Sequence, residues 1–160
     1  GVWSIHLLKE NPTYTATLLD YPLVVKVAEE FVEKNGLNSR YSYAPCDLEE
    51  MDLPENMYDV ALIGHVCHTL GPNVASQMFQ DVYKVLKPGG VVVVIDFIPD
   101  DNRTESGWPL IFGVNMLVTT FEGNVFTEAE YKNWMTIAGF DSIEKTIMES
   151  EISVLIAKKA

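Results

Sequence analysis

MYDVALIGHVCHTLGPNVASQMFQDVYKVLKPGGVVVVID, residues 57–96, reads as one strand, helix and strand unit. Residues 58–64 are an apolar run of buried-strand length, and residues 91–95 are almost purely β-branched. Between them Val74, Met78, Val82, Val85 and Leu86 recur near helical spacing, with Gln77, Gln80, Asp81 and Lys84 on the other face. Lys87-Pro88-Gly89-Gly90 predicts the helix stop. Two apolar strands joined through a helix make a parallel crossover, and ligands of such sheets bind beyond the carboxyl ends of the strands. His65, His68 and Asp96 are therefore expected along one edge.

Upstream, Trp3, Leu7 and Leu8 predict a helix over residues 1–10, with no strand in front of it. Residues 14–19 read as a strand ending in Asp20, and Tyr21-Pro22 opens a helix over roughly residues 23–34. Val24, Val27, Ala28 and Phe31 are its expected buried face, and Asn35-Gly36 its end. A weaker strand over residues 40–44 leads into Cys46-Asp47-Leu48 and an acidic loop.

Downstream, a loop over residues 99–106 precedes residues 108–120, which are apolar on nearly all sides and so suit a buried helix or one lining a cavity or partner. Thr127 and Glu130 form a capping box for a helix that Gly139 ends. Residues 142–148 and 152–157 read as an antiparallel hairpin closing the sheet. About six strands and five helices in βα alternation give an α/β, doubly wound class, mostly parallel with an antiparallel C-terminal hairpin.

At 160 residues and 48% apolar, the chain has material for the core of one domain. A net charge of −12 argues against nucleic acid and anionic membrane surfaces as partners. There is no apolar run of membrane-spanning length and no signal pattern at the N-terminus. Cys46 and Cys67 are not spaced for metal or redox chemistry, so free thiols in the cytoplasm are the simplest reading.

With these elements in place, the chain resembles the class I S-adenosylmethionine-dependent methyltransferases, and among them the small-molecule O-methyltransferases that include plant phenolic and acetylserotonin enzymes. The resemblance covers essentially the whole chain. It rests on Leu86-Lys87-Pro88-Gly89-Gly90 before a strand ending in Asp96, the pair Cys67-His68, the pair Asn115-Met116, and Thr127-Glu128-Ala129-Glu130-Tyr131 followed by Ala138-Gly139-Phe140. It implies a Rossmann-like sheet whose first strand and most of whose Gly-rich loop precede Gly1. The chain is accordingly expected to be an N-terminally incomplete catalytic domain, residues 1–160, of a longer polypeptide that forms a homodimer.

The resemblance also implies site residues. S-adenosyl-L-methionine would be held by Gly1, by Asp20 on the ribose hydroxyls, and by Asp47 and Leu48 at the adenine. An ordinary reading of Asp20 is a turn residue capping the helix at Pro22, and Cys46 stands where a glycine is more usual. His68 matches the catalytic base, a residue type suited to accept a hydroxyl proton near neutral pH, and Asp96 stands for one of two family glutamates. A helix cap is the plainer role for His68. Asn115 and Met116, with His65, Trp108, Phe112 and Phe121, would face a small hydroxylated aromatic substrate, or else serve as core or dimer interface.

The chain departs from the family at three places: His-Asp-Trp becomes His68-Thr69-Leu70, the second glutamate falls on Val125, and a lysine before the histidine is Gly64. His65, His68 and Asp96 also match a 2-His-1-carboxylate iron set, but the family context accounts for all three without a metal. The function expected is O-methyl transfer to a small aromatic or polyketide-like hydroxyl compound. The rivals are an impaired cofactor-binding partner or regulatory protein of the same fold, and a nucleotide-dependent oxidoreductase.

Overall fold

Residues 2–47, 51–105, 107–148 and 151–160 are described in the computed structural model. Among them are five α-helices and six strands, and the chain divides into two units, Gly1–Asp52 and Leu53–Ala160.

In the first unit, helix α1 (Val2–Glu10) precedes β1 (Ala16–Asp20), α2 (Pro22–Lys34) and β2 (Tyr41–Pro45). β1 and β2 pair in parallel from Ala16 opposite Tyr41 to Asp20 opposite Pro45. Ile5, Leu8, Leu18, Val25, Ala28, Val32, Leu37 and Tyr41 form the core. The buried face of α2 differs from the expected one. Val25, Ala28 and Val32 point inward, whereas Val24, Val27 and Phe31 are 46%, 55% and 48% exposed. Apolar residues occupy more than half the circumference of α2, so its pattern allows two inward faces; packing on β1 and β2 selects one. Arg40 closes α1, its guanidinium donating to the carbonyls of Leu8 at 2.8 Å and Asn11 at 3.0 Å. A cation at a helix C-terminus satisfies carbonyls that the helix leaves unpaired.

In the second unit, β3 (Tyr58–Gly64), α3 (Pro72–Val85) and β4 (Leu86–Asp96) form the expected crossover. They are followed by α4 (Gly107–Thr119), α5 (Glu128–Ala138), β5 (Phe140–Ile147) and β6 (Ser153–Lys159). The sheet order is β3-β4-β6-β5, with β3 and β4 parallel and the other two pairings antiparallel. The C-terminal hairpin therefore inserts its last strand beside β4. Gly90 is required where β4 begins to pair with β3, because a Cβ there would lie 2.8 Å from the Lys87 carbonyl oxygen. Both elements of the predicted α5 boundary are present: the Thr127 and Glu130 capping box, and Gly139 in the left-handed region at φ +104°.

Helix α4 is apolar all round but mostly not buried within the chain: Pro109 and Met116 are its buried residues, while Leu117 and Val118 are 76% and 78% exposed. Among the described residues, no helix is long and apolar enough to cross a membrane. No disulfide joins Cys46, which is partly buried, to Cys67, which is buried.

Candidate active site

Three adjacent pieces of backbone build the site in the second unit. β4 ends at Asp96, which places its carboxylate at the carboxyl edge of the sheet. Beyond β3, His65 takes a left-handed backbone, φ +55°, while its amide donates to the Ile95 carbonyl at 2.8 Å. Such a conformation is costly for a residue with a Cβ, and is held here by that ladder bond. The chain then turns through a short 3-10 segment, Cys67–Thr69, which brings His68 back over Asp96.

Asp96 is 1% exposed and bonded on both oxygens. Its Oδ1 accepts from His68 Nδ1 at 2.6 Å and from the Phe97 amide at 2.9 Å, with His65 Nδ1 at 3.6 Å. Its Oδ2 accepts from the Tyr131 hydroxyl at 3.0 Å. Burial pushes the carboxyl pKa up, but the hydrogen bonds from His65 and His68, the charge of His68 and the Phe97 amide outweigh it, and the pKa falls to about 2. Asp96 is therefore ionised at neutral pH. An ionised carboxylate only accepts hydrogen bonds, so His68 carries its proton on Nδ1 and, when neutral, accepts on Nε2.

Aromatic rings enclose this pair. Phe112 meets the His68 ring edge-on at 4.8 Å, and Phe97 lies 4.8 Å from Phe112, 5.0 Å from His65 and 6.3 Å from Trp108. The loop after α4 docks on the backbone of His68, whose carbonyl accepts the Asn124 amide at 3.0 Å. Cys67, beside His68, is no nucleophile: burial and then the charge of Asp96 push its thiol far up, so it stays neutral.

His65, His68, Asp96, Trp108 and Phe112 are thus brought together through direct contacts and the ring of Phe97. Asn115 shares the helical side of Trp108 and Phe112 and is exposed, whereas Met116 is buried. Phe121 is fully exposed and lines a cleft of about 430 Å³ with Leu110, Gly113 and Leu117. Val125 is 2% exposed and packs into space left by Gly113, where a Cβ would approach Val125 Cγ2 to 2.8 Å. No carboxylate takes that place.

The first unit carries the other expected residues. Asp20 and Asp47 lie at one edge of its sheet, at and just beyond the carboxyl ends of β1 and β2. Asp20 Oδ1 accepts the Tyr21 amide at 2.9 Å, which fixes the carboxylate at the strand end, but it does not cap α2, whose N-cap is Tyr21 without a side-chain cap bond. A fixed acid beyond a parallel strand fits a ligand's ribose diol, so these residues suit the nucleoside part of S-adenosyl-L-methionine. Gly1 and Leu48 lie outside the described residues.

Two site residues escaped the sequence reading. Tyr131 belongs to the capping-box segment and drew attention only for its helix start. Phe97 follows Asp96 in an apolar run that resembles any buried strand end.

Residues 2–141 match the family model for the O-methyltransferase domain. The chain is 29% identical over 159 residues to the tetracenomycin polyketide synthesis 8-O-methyl transferase TcmO of Streptomyces glaucescens, covering 99% of this chain and 46% of that protein. It superposes with a TM-score of 0.93 and 29% identity on a structure from Nostoc punctiforme PCC 73102 assigned to the O-methyltransferases, covering 99% of this chain and 49% of that one. Human N-acetylserotonin methyltransferase in complex with SAM shares the fold, with a TM-score of 0.84 at 24% identity over 98% of this chain and 44% of that one. The chain thus spans about half the length of the relatives it matches. By the extent of the family match, which takes in both units and every acid and histidine described above, the chain belongs to the O-methyltransferase domain family.

Proposed function

We propose that this chain forms the methyl-transfer domain of an S-adenosylmethionine-dependent O-methyltransferase acting on a hydroxyl of a small aromatic or polyketide-like molecule. The observation that carries the reading is the buried His68 and Asp96 pair, with Nδ1 and Oδ1 at 2.6 Å. Asp20 and Asp47 would hold S-adenosyl-L-methionine, which would supply an electrophilic methyl group on a sulfonium.

The chain's own residues supply the rest. His68 Nε2 accepts the hydroxyl proton as the oxygen becomes nucleophilic, and Asp96 stabilises the imidazolium that results. Phe112, Trp108 and Phe97 offer apolar ring faces that exclude water and orient an aromatic acceptor. Asn115 offers an amide to a polar substituent and Met116 a thioether wall. His65, its ring 5.8 Å from that of His68, completes the polar side of the site. The polyketide and acetylserotonin names of the two relatives favour this substrate class.

The same proposal treats residues 1–160 as one catalytic domain, working as a homodimer in the cytoplasm. The net charge of −12 disfavours nucleic acid as a partner.

One observation favours a second reading, a cofactor-binding partner or regulator with weak transferase activity. Val125, onto which the resemblance puts the family's second acid, is apolar and buried.

Calorimetric titration with S-adenosylmethionine and S-adenosylhomocysteine, followed by a methyl-transfer screen over phenols, tests both readings. Failure to bind either compound sinks both. Binding without turnover leaves the regulator, and turnover that His68→Ala abolishes establishes the enzyme.

A further inference from the structure

The second oxygen of Asp96 has a partner with no role in the proton transfer just described. Tyr131 is 1% exposed, the fourth residue of α5, and its hydroxyl donates to Asp96 Oδ2 at 3.0 Å. The ring is caged by Phe79 at 6.2 Å, Trp134 at 5.5 Å and Phe126 at 6.3 Å. The Thr127 and Glu130 capping box fixes the helical turn that carries it. A tyrosine held on all sides this way presents its hydroxyl at one point, at low entropic cost.

The division of labour on Asp96 is sharp. Oδ1 serves His68, with the Phe97 amide and His65 beside it, while among the described residues Tyr131 is the donor to Oδ2. A buried carboxylate that loses a donor either rotates to find another or takes up a proton. Either outcome spoils the acceptor for His68 Nδ1. Among the described residues Asp96 is the carboxylate bonded to the imidazole of His68, and Val125 is a buried apolar residue.

We propose that Tyr131 is the positioning residue of this pair, its hydroxyl holding Asp96 Oδ2 so that Oδ1 faces His68 Nδ1. This rests on the reading of His68 as the base. The titratable groups around Asp96 are His65 and His68 beyond β3, Cys67 on the same turn, and Tyr131 on α5.

The chain has three histidines, His6, His65 and His68, so ¹⁵N-histidine labelling resolves the imidazole of interest by NMR. In Tyr131→Phe the low-field Nδ1 proton signal of His68 is expected to move upfield, since a poorly aimed carboxylate makes a weaker charge-assisted bond to that proton. With a responsive phenol as acceptor, kcat falls about tenfold while KM for S-adenosylmethionine holds.

An unchanged His68 signal in Tyr131→Phe overturns the proposal. If Tyr131→Phe does not fold, 3-fluorotyrosine placed at position 131 keeps the size and strengthens the donor. A shift of the His68 signal there supports the proposal, and no shift overturns it. A merely structural role would lower Tm without touching that resonance. Full turnover in His68→Gln would instead remove His68 as the base, an outcome the NMR coupling does not depend on, so the two failures are told apart.

Discussion

Nδ1 of His68 lies 2.6 Å from Oδ1 of Asp96, inside the protein and against the edge of Phe112. A contact this short between an imidazole and an ionised carboxylate is a charge-assisted hydrogen bond, and it assigns the two ring nitrogens different tasks. Nδ1 is spent on orientation, and Nε2 is left to take a proton.

It follows that His68→Gln, which keeps the polarity but cannot accept a proton at comparable basicity, lowers kcat by about 10²- to 10⁴-fold. Binding of S-adenosylmethionine, measured by calorimetry, stays close to wild type, because the acids read as its ligands lie on β1 and beyond β2. A loss of cofactor affinity equal to the loss in rate would contradict that division.

The depressed pKa of Asp96 makes a stability prediction as well. Its folded value, about 2, lies below the ordinary 3.8, so the carboxylate stabilises the fold above pH 4 and that contribution disappears as pH falls from 4 towards 2. A shift of this size corresponds to roughly 2 kcal/mol. Urea titrations between pH 2 and 6 are expected to show a steeper acid loss for wild type than for Asp96→Asn, which lacks the titrating group. Parallel pH curves for the two proteins would mean that Asp96 is not held ionised.

The same cluster invites a metal test. His65, His68 and Asp96 each offer one ligand atom within 4.8 Å of the others, a set that could take a divalent ion. An ion on His68 Nδ1 would drive the imidazole proton to Nε2 and remove the acceptor the mechanism needs. Methyl transfer is therefore expected to survive exhaustive chelation, and added Zn²⁺ to inhibit it. Activity lost to a chelator and restored by metal would reverse the assignment of these residues.

How much of this was legible beforehand follows from the range of each interaction. β3 and the pairing end of β4 are contiguous apolar runs, and the three-residue gap before the last strand left a hairpin as its simplest reading. Asp96 ends β4 and His68 follows the end of β3 by four residues, so position in the crossover puts both at one edge. Tyr131 reaches Asp96 across 35 residues of sequence, through the packing of α5, and no local pattern announces such a contact. The left-handed backbone of His65 was equally hidden, since the residue there is not a glycine. The inward face of α2 was misjudged because its apolar residues fit two faces, and only the sheet beneath chooses between them.

Lys159 gives a prediction away from the site. Its ammonium, in a residue only 9% exposed, donates to the carbonyls of Tyr83 at 2.8 Å and Leu86 at 2.7 Å and to Asn56 Oδ1 at 3.1 Å. It also lies 4.6 Å from the Tyr83 ring centroid. The last residue of β6 thereby caps the C-terminus of α3, supplying donors to carbonyls that the helix leaves unpaired. Lys159→Met preserves the stem but orphans those acceptors, and is expected to cost about 2–4 kcal/mol in urea unfolding. A cost below 0.5 kcal/mol would show that water replaces the ammonium freely.

Gly123 links the loop after α4 to the catalytic turn through sterics alone. A Cβ on Gly123 would stand 2.6 Å from the carbonyl oxygen of His68 and 2.3 Å from Thr120 Oγ1. The first neighbour is backbone and cannot swing aside, so the loop must lift away and the Asn124 amide must release His68. Gly123→Ala is expected to destabilise the fold by about 1–3 kcal/mol. Because the released carbonyl belongs to the base itself, the rate should fall further than the folded fraction does. Turnover per folded molecule, measured well below the melting transition, separates the two effects. If it stays at the wild-type level, the loop supports the fold but does not hold His68 in register with Asp96.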